Sequence, residues 1–462
     1  MSISGLLSTA RDSLNVSQMA IDITGGNVAN VNTPGYTRQR VHMTSVNNIN
    51  VGDVSAQVGV GVSQVERVYD RYINSQIIEQ QQNTGYSDSM LQGLQNIEGV
   101  LDDTNGGGLN DQLNSFWAAC ESLSQNPGGQ VERSTLLSTA QNLTSTLTTY
   151  KQGLDTINTD MNNNIADVVA KINSDTSQIA DINLRILGSA ANNGDNNDLI
   201  DKRSQVIKDL SSLVNIRQIE NADGTINVYL PDGHALVENT KSQSLRVVKV
   251  GNAISNVVYS ADTAGGSLNS TLTKGKLGAF VQLQDTIIPE YINDINNFTI
   301  AFSNSVNGLH RVGFDAYGNT GTDFFTIADT TNAAGTVGVN SAIAADVNRI
   351  AASTTVSGDG ENANQLASVQ NELLMNSNTS TLNSFLSSMV GQIGSQVANA
   401  NTNSTYQTAI MNSLDNQWQS TSGVSIDEEM INLMKYQMGY NASGRLITTV
   451  NNLLDTLMGI IK

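Results

Sequence analysis

Apolar residues recur at alternating steps of three and four from the first turns of the chain. Leu7, Ala10, Leu14, Ser17, Ile21, Thr24, Val28 and Val31 occupy the two seam positions of a heptad, with hydroxyls at Ser17 and Thr24. The spacing predicts a helix with a narrow seam. It should end near Val31, because Thr33 precedes Pro34 and is pushed out of the α region, while Pro34-Gly35 suits a type II turn. Tyr36 to Val46 reads as extended, with Thr37, Gln39, Val41 and Met43 on one face and Tyr36, Arg38, Arg40 and His42 on the other. Gly52 to Gly61 reads as an irregular connector. Helical spacing resumes at Val62 and continues through Val65, Val68, Tyr72, Ile73 and Ile77 to Met90, Leu94, Ile97 and Leu101.

Past a break at Asp102 to Gly108, a short helix carries Leu113, Phe116, Trp117 and Cys120 on one stripe. The strongest periodicity follows. Leu136, Ala140, Leu143, Leu147, Tyr150, Leu154, Ile157, Met161, Ile165, Val168, Ile172, Ile179, Ile182 and Ile186 keep the same spacing, which at ~1.5 Å per residue predicts a rod of roughly 75 Å. Asn192 to Asp198 is a loop, and Leu199 to Leu213 another amphipathic helix. At Ile216 the period falls to two. Asp223-Gly224 and Asp232-Gly233 mark hairpins, and the strand pattern lasts to about Ser260. Helix returns from Leu277 to Leu309, a glycine-rich loop carries Phe324 and Phe325, and helices resume near Ala363.

The last helix is announced by Ser425-Ile426-Asp427-Glu428, the pattern of a capping box, with Asp427, Glu428 and Glu429 in the first turn where the helix dipole favours acids. Its seam runs through Ile426, Met430, Leu433, Gln437, Tyr440, Gly444, Ile447, Asn451, Leu454, Met458 and Ile461. A seam so interrupted is weak alone, so it is expected to pair with the N-terminal helix. The apolar members Leu7, Leu14, Ile21, Val28, Ile426, Met430, Leu433, Tyr440, Ile447, Leu454, Met458 and Ile461 form the candidate assembly seam. The expected fold is mainly α with a β insertion, and its architecture is nested. A coiled-coil core domain joins residues 1–60 with 411–462. A long-helix bundle joins 61–215 with 276–410, and a small β-rich outer domain spans 216–275.

Composition narrows the function. Lys plus Arg total 23 against 42 Asp plus Glu, a net charge of −19, which disfavours nucleic acid and anionic membrane surfaces as partners. No apolar run approaches the ~20 residues of a membrane span, and Met1 to Gln18 lacks the pattern of a cleaved secretory signal. One cysteine, Cys120, excludes an intrachain disulfide, and the three histidines, His42, His234 and His310, are far apart in sequence. Only four prolines in 462 residues leave long helices uninterrupted.

Candidate chemistry is thin. Asp195 to Asp198 lacks the spacing of a calcium loop, Asp359-Gly360-Glu361 reads as a turn, and Gly25-Gly26 is no phosphate loop. No nucleophile-elbow motif accompanies the histidines. Cys120, beside Phe116 and Trp117, reads as a buried small hydrophobe. Arg38 and Arg40 suit an acidic partner or a solvated face. No cofactor or metal is expected.

Two motifs carry a resemblance. Asn27-Val-Ala-Asn30-Val-Asn32-Thr-Pro34-Gly35-Tyr36-Thr-Arg38-Gln39 resembles the N-terminal signature of flagellar axial proteins. Ser422-Gly423-Val-Ser-Ile-Asp427-Glu428-Glu429-Met430, continuing through Leu433, Tyr436-Gln437, Tyr440 and Arg445, is similar to their C-terminal ending. The Tyr-Thr-Arg-Gln form and the acidic run resemble the hook-associated protein 1 branch, as do Val68 to Tyr72, Asp198 to Arg203, Gly275 to Gly278 and Val306 to His310. Gly26, Gly439 and Gly444 depart from the usual Asn, Ala and Ala. The resemblance implies a structural protein joining hook to filament, exported through the flagellar type III apparatus without signal cleavage. Implied partners are neighbouring copies, hook protein, the second junction protein and a cytoplasmic export chaperone at the C-terminal helix. A hook or rod subunit is the alternative, and a secreted hydrolase carried by the β module a remoter one. Residues 1–31 and 425–462 are expected to order only on assembly, where burial offsets a conformational cost of ~1–2 kcal/mol per residue.

Overall fold

A computed structural model describes residues 3–51, 54–102, 107–190, 196–251, 253–261, 266–356 and 358–460. The chain opens with α1 (Ile3–Ala29), the hairpin β1 (Gln39–Val51) and β2 (Val54–Arg67), then α2 (Arg71–Leu101), α3 (Leu109–Gln125), α4 (Gln130–Ala190) and α5 (Asn197–Leu213). Strands β3 (Arg217–Glu220), β4 (Ile226–Tyr229), β5 (Ala235–Glu238) and β6 (Lys241–Ser242) form an antiparallel sheet in that order, and β7 (Leu245–Val250) pairs with β8 (Ala253–Tyr259). Next come α6 (Gly275–Gln282) and α7 (Ile288–Val312), then β9 (Phe325–Ile327), α8 (Ala333–Thr336), β10 (Val337–Val339), α9 (Ser341–Ala345) and α10 (Glu361–Ser368). The chain closes with α11 (Leu382–Ser422) and α12 (Ile426–Ile460). The mainly α architecture with long terminal helices and small sheets is the one the periodicity predicts.

Helix α4 organises the body. Its 61 residues span ~90 Å at 1.5 Å per residue, and its apolar stripe serves two cores in succession. The first half, from Leu136 to Met161, packs with α2, α3, α7 and the start of α11 around Phe116, Trp117, Phe298, Phe302, Phe324 and Phe325. The rings meet edge-on, as at Phe116 and Trp117, whose centroids lie 5.1 Å apart. Cys120 is buried here, and burial pushes its thiol pKa up, in keeping with a small hydrophobe. The second half, from Ile165 to Ile179, packs with α5, α6 and the strands β4, β5, β7 and β8.

Asparagines on α4 hold the sheets to the helix. Asn183 donates to the carbonyls of Ile226 (2.8 Å) and Asn239 (2.6 Å) and accepts from the Ile226 N–H (3.2 Å). Asn173 brackets Leu245 in the same way, and Asn162 accepts from the Ile254 N–H. An amide side chain carries both a donor and an acceptor, so it can satisfy a strand backbone group that has no neighbouring strand. The β region therefore shares its core with the long helix.

Two readings of the sequence are corrected. The stretch Gly52 to Gly61, expected as a connector, supplies most of β2, with Gly52 and Asp53 outside the described residues. Valines alternate with small residues there, which is a strand pattern; at Gly61 a Cβ would lie 3.1 Å from the Val46 side chain, so glycine accommodates the cross-strand valine. Val62 and Val65, expected as helical, continue that strand. The helix α2 starts only after Asp70, whose carboxylate accepts from the N–H groups of Tyr72 (2.8 Å) and Ile73 (3.1 Å).

A candidate assembly interface at the paired termini

The two ends of the chain lie side by side. Helices α1 and α12 run antiparallel in even step: Asn27 bonds Glu429, Ser17 faces Gly439, and Ser443 donates to Ser13 at 2.9 Å. The buried side chains are mostly small or polar. Ala10, Val16, Ser17, Ala20, Thr24 and Asn27 are buried on α1, as are Glu429, Ser443 and Val450 on α12. A Cβ on Gly439 would sit 3.2 Å from the Ser17 hydroxyl, so the departure from alanine falls at a close approach of the helices.

On α1 the seam positions Ala10, Ser17 and Thr24 are buried, while its large members turn to the margins and position 27 faces inward rather than 28; on α12 the buried face is displaced, with 429, 443 and 450 inward rather than 430, 444 and 451. One residue is a rotation of 100°. Leu14, Ile21, Val28, Leu433 and Ile447 sit half-buried at the margins, while Leu7, Ile426, Met430, Tyr440, Leu454 and Met458 are exposed. Ile461 lies outside the described residues. Small residues permit the tight pairing within the chain, and the large apolar residues remain outside it.

The motif residues converge at one end of this pair. The Asn27 amide donates to the Gln39 carbonyl (2.8 Å) and to Glu429 Oε2 (2.9 Å), and its oxygen accepts from the Gln39 N–H and the Tyr36 hydroxyl, both at 3.0 Å. Burial beside Asp201, Asp198 and Glu429 pushes the Tyr36 pKa up to about 12, so the phenol keeps its proton and donates. Of the two readings of this face, Arg38 takes the acidic partner and is buried, while Arg40 is exposed. Its guanidinium meets Glu429 Oε1 at 2.7 Å and Glu428 Oε2 at 2.6 Å, and its N–H donates to the Ser422 carbonyl at 3.0 Å. The acids expected as helix caps thus serve as Arg38's partners. Asn30 and Thr33 close the end of α1, the former donating to the Gly26 carbonyl at 3.0 Å. Pro34 is exposed and Gly35 has φ of 78°, the left-handed value its turn requires. Tyr436 is half-buried and lines a 230 Å³ polar cleft with Thr24, Arg38 and Glu429. Asp427, Gln437 and Arg445 are exposed.

A second buried pair ties the hairpin to the body. Arg67, opposite Gln39 across the strands, bridges Asp201 on α5, and Asp201 also accepts from the Thr37 N–H at 3.1 Å. Burial raises the Asp201 pKa, while Arg67 and Thr37 pull it down. Charge type alone marked neither residue, since a buried and an exposed Arg look alike in a sequence. The Asn30–Tyr36 turn then fills the space between α5 and α11, flanked by clefts of about 850 and 660 Å³. Among the described residues no group of three or more His, Cys, Asp or Glu could hold a metal ion, and no helix is long and apolar enough to cross a membrane. Asp195 lies outside them. Asp359 organises a turn, accepting from the N–H groups of Thr354 (2.9 Å) and Glu361 (3.1 Å).

Apolar exposure is concentrated on α12. Of 24 large hydrophobic residues exposed among the described residues, eleven lie on this helix. An ordinary surface scatters such residues singly; this helix, with large apolar residues exposed on most sides, has the composition of an interface.

Known proteins resemble the chain along its whole length. Residues 94–325 match the family described as "Flagellar hook-associated protein FlgK helical domain". Residues 7–37 match "Flagella basal body rod protein" and residues 416–460 "Flagellar basal body rod FlgEFG protein C-terminal". Flagellar hook-associated protein 1 of Bacillus subtilis is 30% identical, covering 98% of this chain and 97% of that protein. Its counterparts in Salmonella typhimurium and Escherichia coli are each 26% identical, covering 99% of this chain and all of theirs. The solved flagellar hook junction protein FlgK of Burkholderia pseudomallei shares the fold, with a TM-score of 0.68 at 16% identity over 75% of this chain and 100% of that one. The terminal segments match models named for rod proteins, and the helical body matches the one named for hook-associated FlgK: the chain belongs to the flagellar hook-associated protein 1 family, structural components of the bacterial flagellum.

Proposed function

We propose that this chain is the structural subunit that joins hook to filament, and that it docks through the outer faces of α1 and α12. The observation that carries the reading is the eleven exposed large hydrophobics of α12, which a chain working alone has no reason to display. Leu7, Leu14, Ile21, Val28, Met430, Leu433, Tyr440, Ile447, Leu454 and Met458 meet neighbouring copies, and hook protein below and the second junction protein above continue the contacts. The stretch past Leu453 extends beyond the start of α1 by the register of the pair, with Leu454, Leu457 and Met458 exposed; a cytoplasmic export chaperone covers it before assembly. The work is done by assembly rather than catalysis, outside the cell, after type III export.

In this reading residues 1–60 with 411–462 form the inner domain, 61–215 with 276–410 the helical body and 216–275 the outer module. Helix α11 runs unbroken across position 411, so the inner domain is stiffly attached on that side. The termini order on docking, because the mutual burial of α1 and α12 is mostly small and polar and stabilises them little without neighbours. The test is Leu433→Asp and Leu454→Asp. Each should leave the body's thermal unfolding unchanged and abolish incorporation at the hook tip, counted by electron microscopy of filament-bearing hooks. Normal filament attachment in both variants would refute the docking role.

A further inference from the structure

The twelve methionines of the chain are sorted by position. Met90, Met161, Met375 and Met389, all in the helical body, are at most 8% exposed. Met19, Met43, Met430, Met434, Met438 and Met458, all near the ends of the chain, are at least 38% exposed. Met1 lies outside the described residues, and Met411 is half-buried. On α12 the residues at 430, 434 and 438 form one stripe, on the side away from the buried face at 429, 443 and 450. Leucine would bury as much area and has at least equal helix propensity. What methionine adds is an unbranched, adaptable side chain with a reactive thioether.

We propose that Met430, Met434 and Met438, with Met458 further along α12 past the start of α1, are oxidation-sensitive positions, at which conversion to the sulfoxide by a peroxide switches off docking of the unassembled subunit. The inference rests on the docking reading above. The chemistry is an oxygen transfer. A sulfur lone pair attacks one peroxide oxygen, the O–O bond breaks and an S–O bond forms. Hydroxide departs and takes the proton of the oxygen now bound to sulfur, leaving as water, so sulfide is oxidised to sulfoxide and hydrogen peroxide is reduced. The product carries a strong acceptor oxygen, which an apolar contact would leave without a hydrogen-bond partner. Once docked, the same sulfurs are covered and react slowly. Sensitivity therefore belongs to the free subunit, and methionine sulfoxide reductase reverses it.

The full-length chain treated with hydrogen peroxide tests this, with peptide mass mapping and a count of incorporation onto isolated hooks. Sulfoxide should accumulate at the four α12 positions roughly ten-fold faster than at Met90, Met161, Met375 and Met389, following exposure. Incorporation of the treated chain should fall at least ten-fold relative to the same chain untreated, and reductase should restore it. In a Met434→Leu, Met438→Leu, Met430→Leu and Met458→Leu chain, the treated-to-untreated ratio should stay near one. Undiminished incorporation of the oxidised chain, no recovery with reductase, or an equal loss in the leucine chain would overturn this inference alone. Failure of the untreated wild-type chain to incorporate would overturn the docking reading, and this inference with it.

Discussion

Arg38→Ala removes the cation that joins the two ends of the chain, and its effect can be sized from the geometry. The Glu429 side chain is 3% exposed and that of Glu428 61% exposed, although both meet the same guanidinium within 2.7 Å. An exposed pair contributes ~0.2–1 kcal/mol, whereas removing one partner of a buried pair costs ~3–5 kcal/mol because a charge is stranded. Glu429 keeps the Asn27 amide as donor, so the low end, about 3 kcal/mol, applies. At 1.4 kcal/mol per tenfold, that is on the order of 10²-fold in an equilibrium. If the termini order on docking, the loss appears in docking and not in the free body. The concentration of chain giving half-maximal incorporation onto isolated hooks should rise on the order of 10²-fold for Arg38→Ala, and less than about five-fold for Glu428→Ala. Amide exchange in α3, far from the pair, should not change. The double variant Arg38→Ala, Glu429→Ala should incorporate better than Arg38→Ala alone, since the stranded carboxylate is gone. Equal effects of Arg38→Ala and Glu428→Ala, or a double variant worse than the single one, would refute the argument.

Other expectations concern the body. His310 is fully buried; Nδ1 donates to the Thr322 carbonyl at 2.5 Å and Nε2 accepts from the Ala351 N–H at 2.9 Å, and burial lowers its pKa to about 4. The unfolded chain, titrating near 6.5, binds the extra proton first, so His310's contribution is complete above pH 6.5 and is lost as pH falls towards 4, to a total of roughly 3 kcal/mol. Urea midpoints measured across that window should fall for the wild type and lose most of that slope in His310→Gln. A Cβ at Gly85 would overlap the Ser212 carbonyl, while at Gly99 it meets nothing within 4 Å. Gly85→Ala should therefore destabilise by ~1–3 kcal/mol as α2 and α5 are forced apart, and Gly99→Ala should stabilise by up to ~1 kcal/mol; urea midpoints moving in the same direction would contradict this.

Much of the architecture was legible along the chain because its causes are local. The stripe from Leu136 to Ile186 specifies one long helix, Asp223-Gly224 and Asp232-Gly233 fall in the turns on either side of β4, and Pro34-Gly35 closes the turn after α1. The motifs at Asn27–Gln39 and Asp427–Glu429 marked the family, and with it the expectation that the two ends meet. The second strand of the hairpin was missed because the glycines among its valines resemble a connector until a partner strand supplies the reason for them.

The sequence alone determined most of the elements, since periodicity, caps and turns act over a few residues, and its terminal motifs carried the expectation that the two ends pair. Tertiary structure decided which faces meet. Spacing cannot say whether Leu14 or Ser13 turns inward, because both positions repeat every seven residues, and the choice falls to the closer approach that small side chains allow. It also decided that Arg38 and Arg67 are buried and paired while Arg40 is not. A charge becomes worth pairing only where packing has removed its water, and that environment is assembled from residues nearly 400 positions apart.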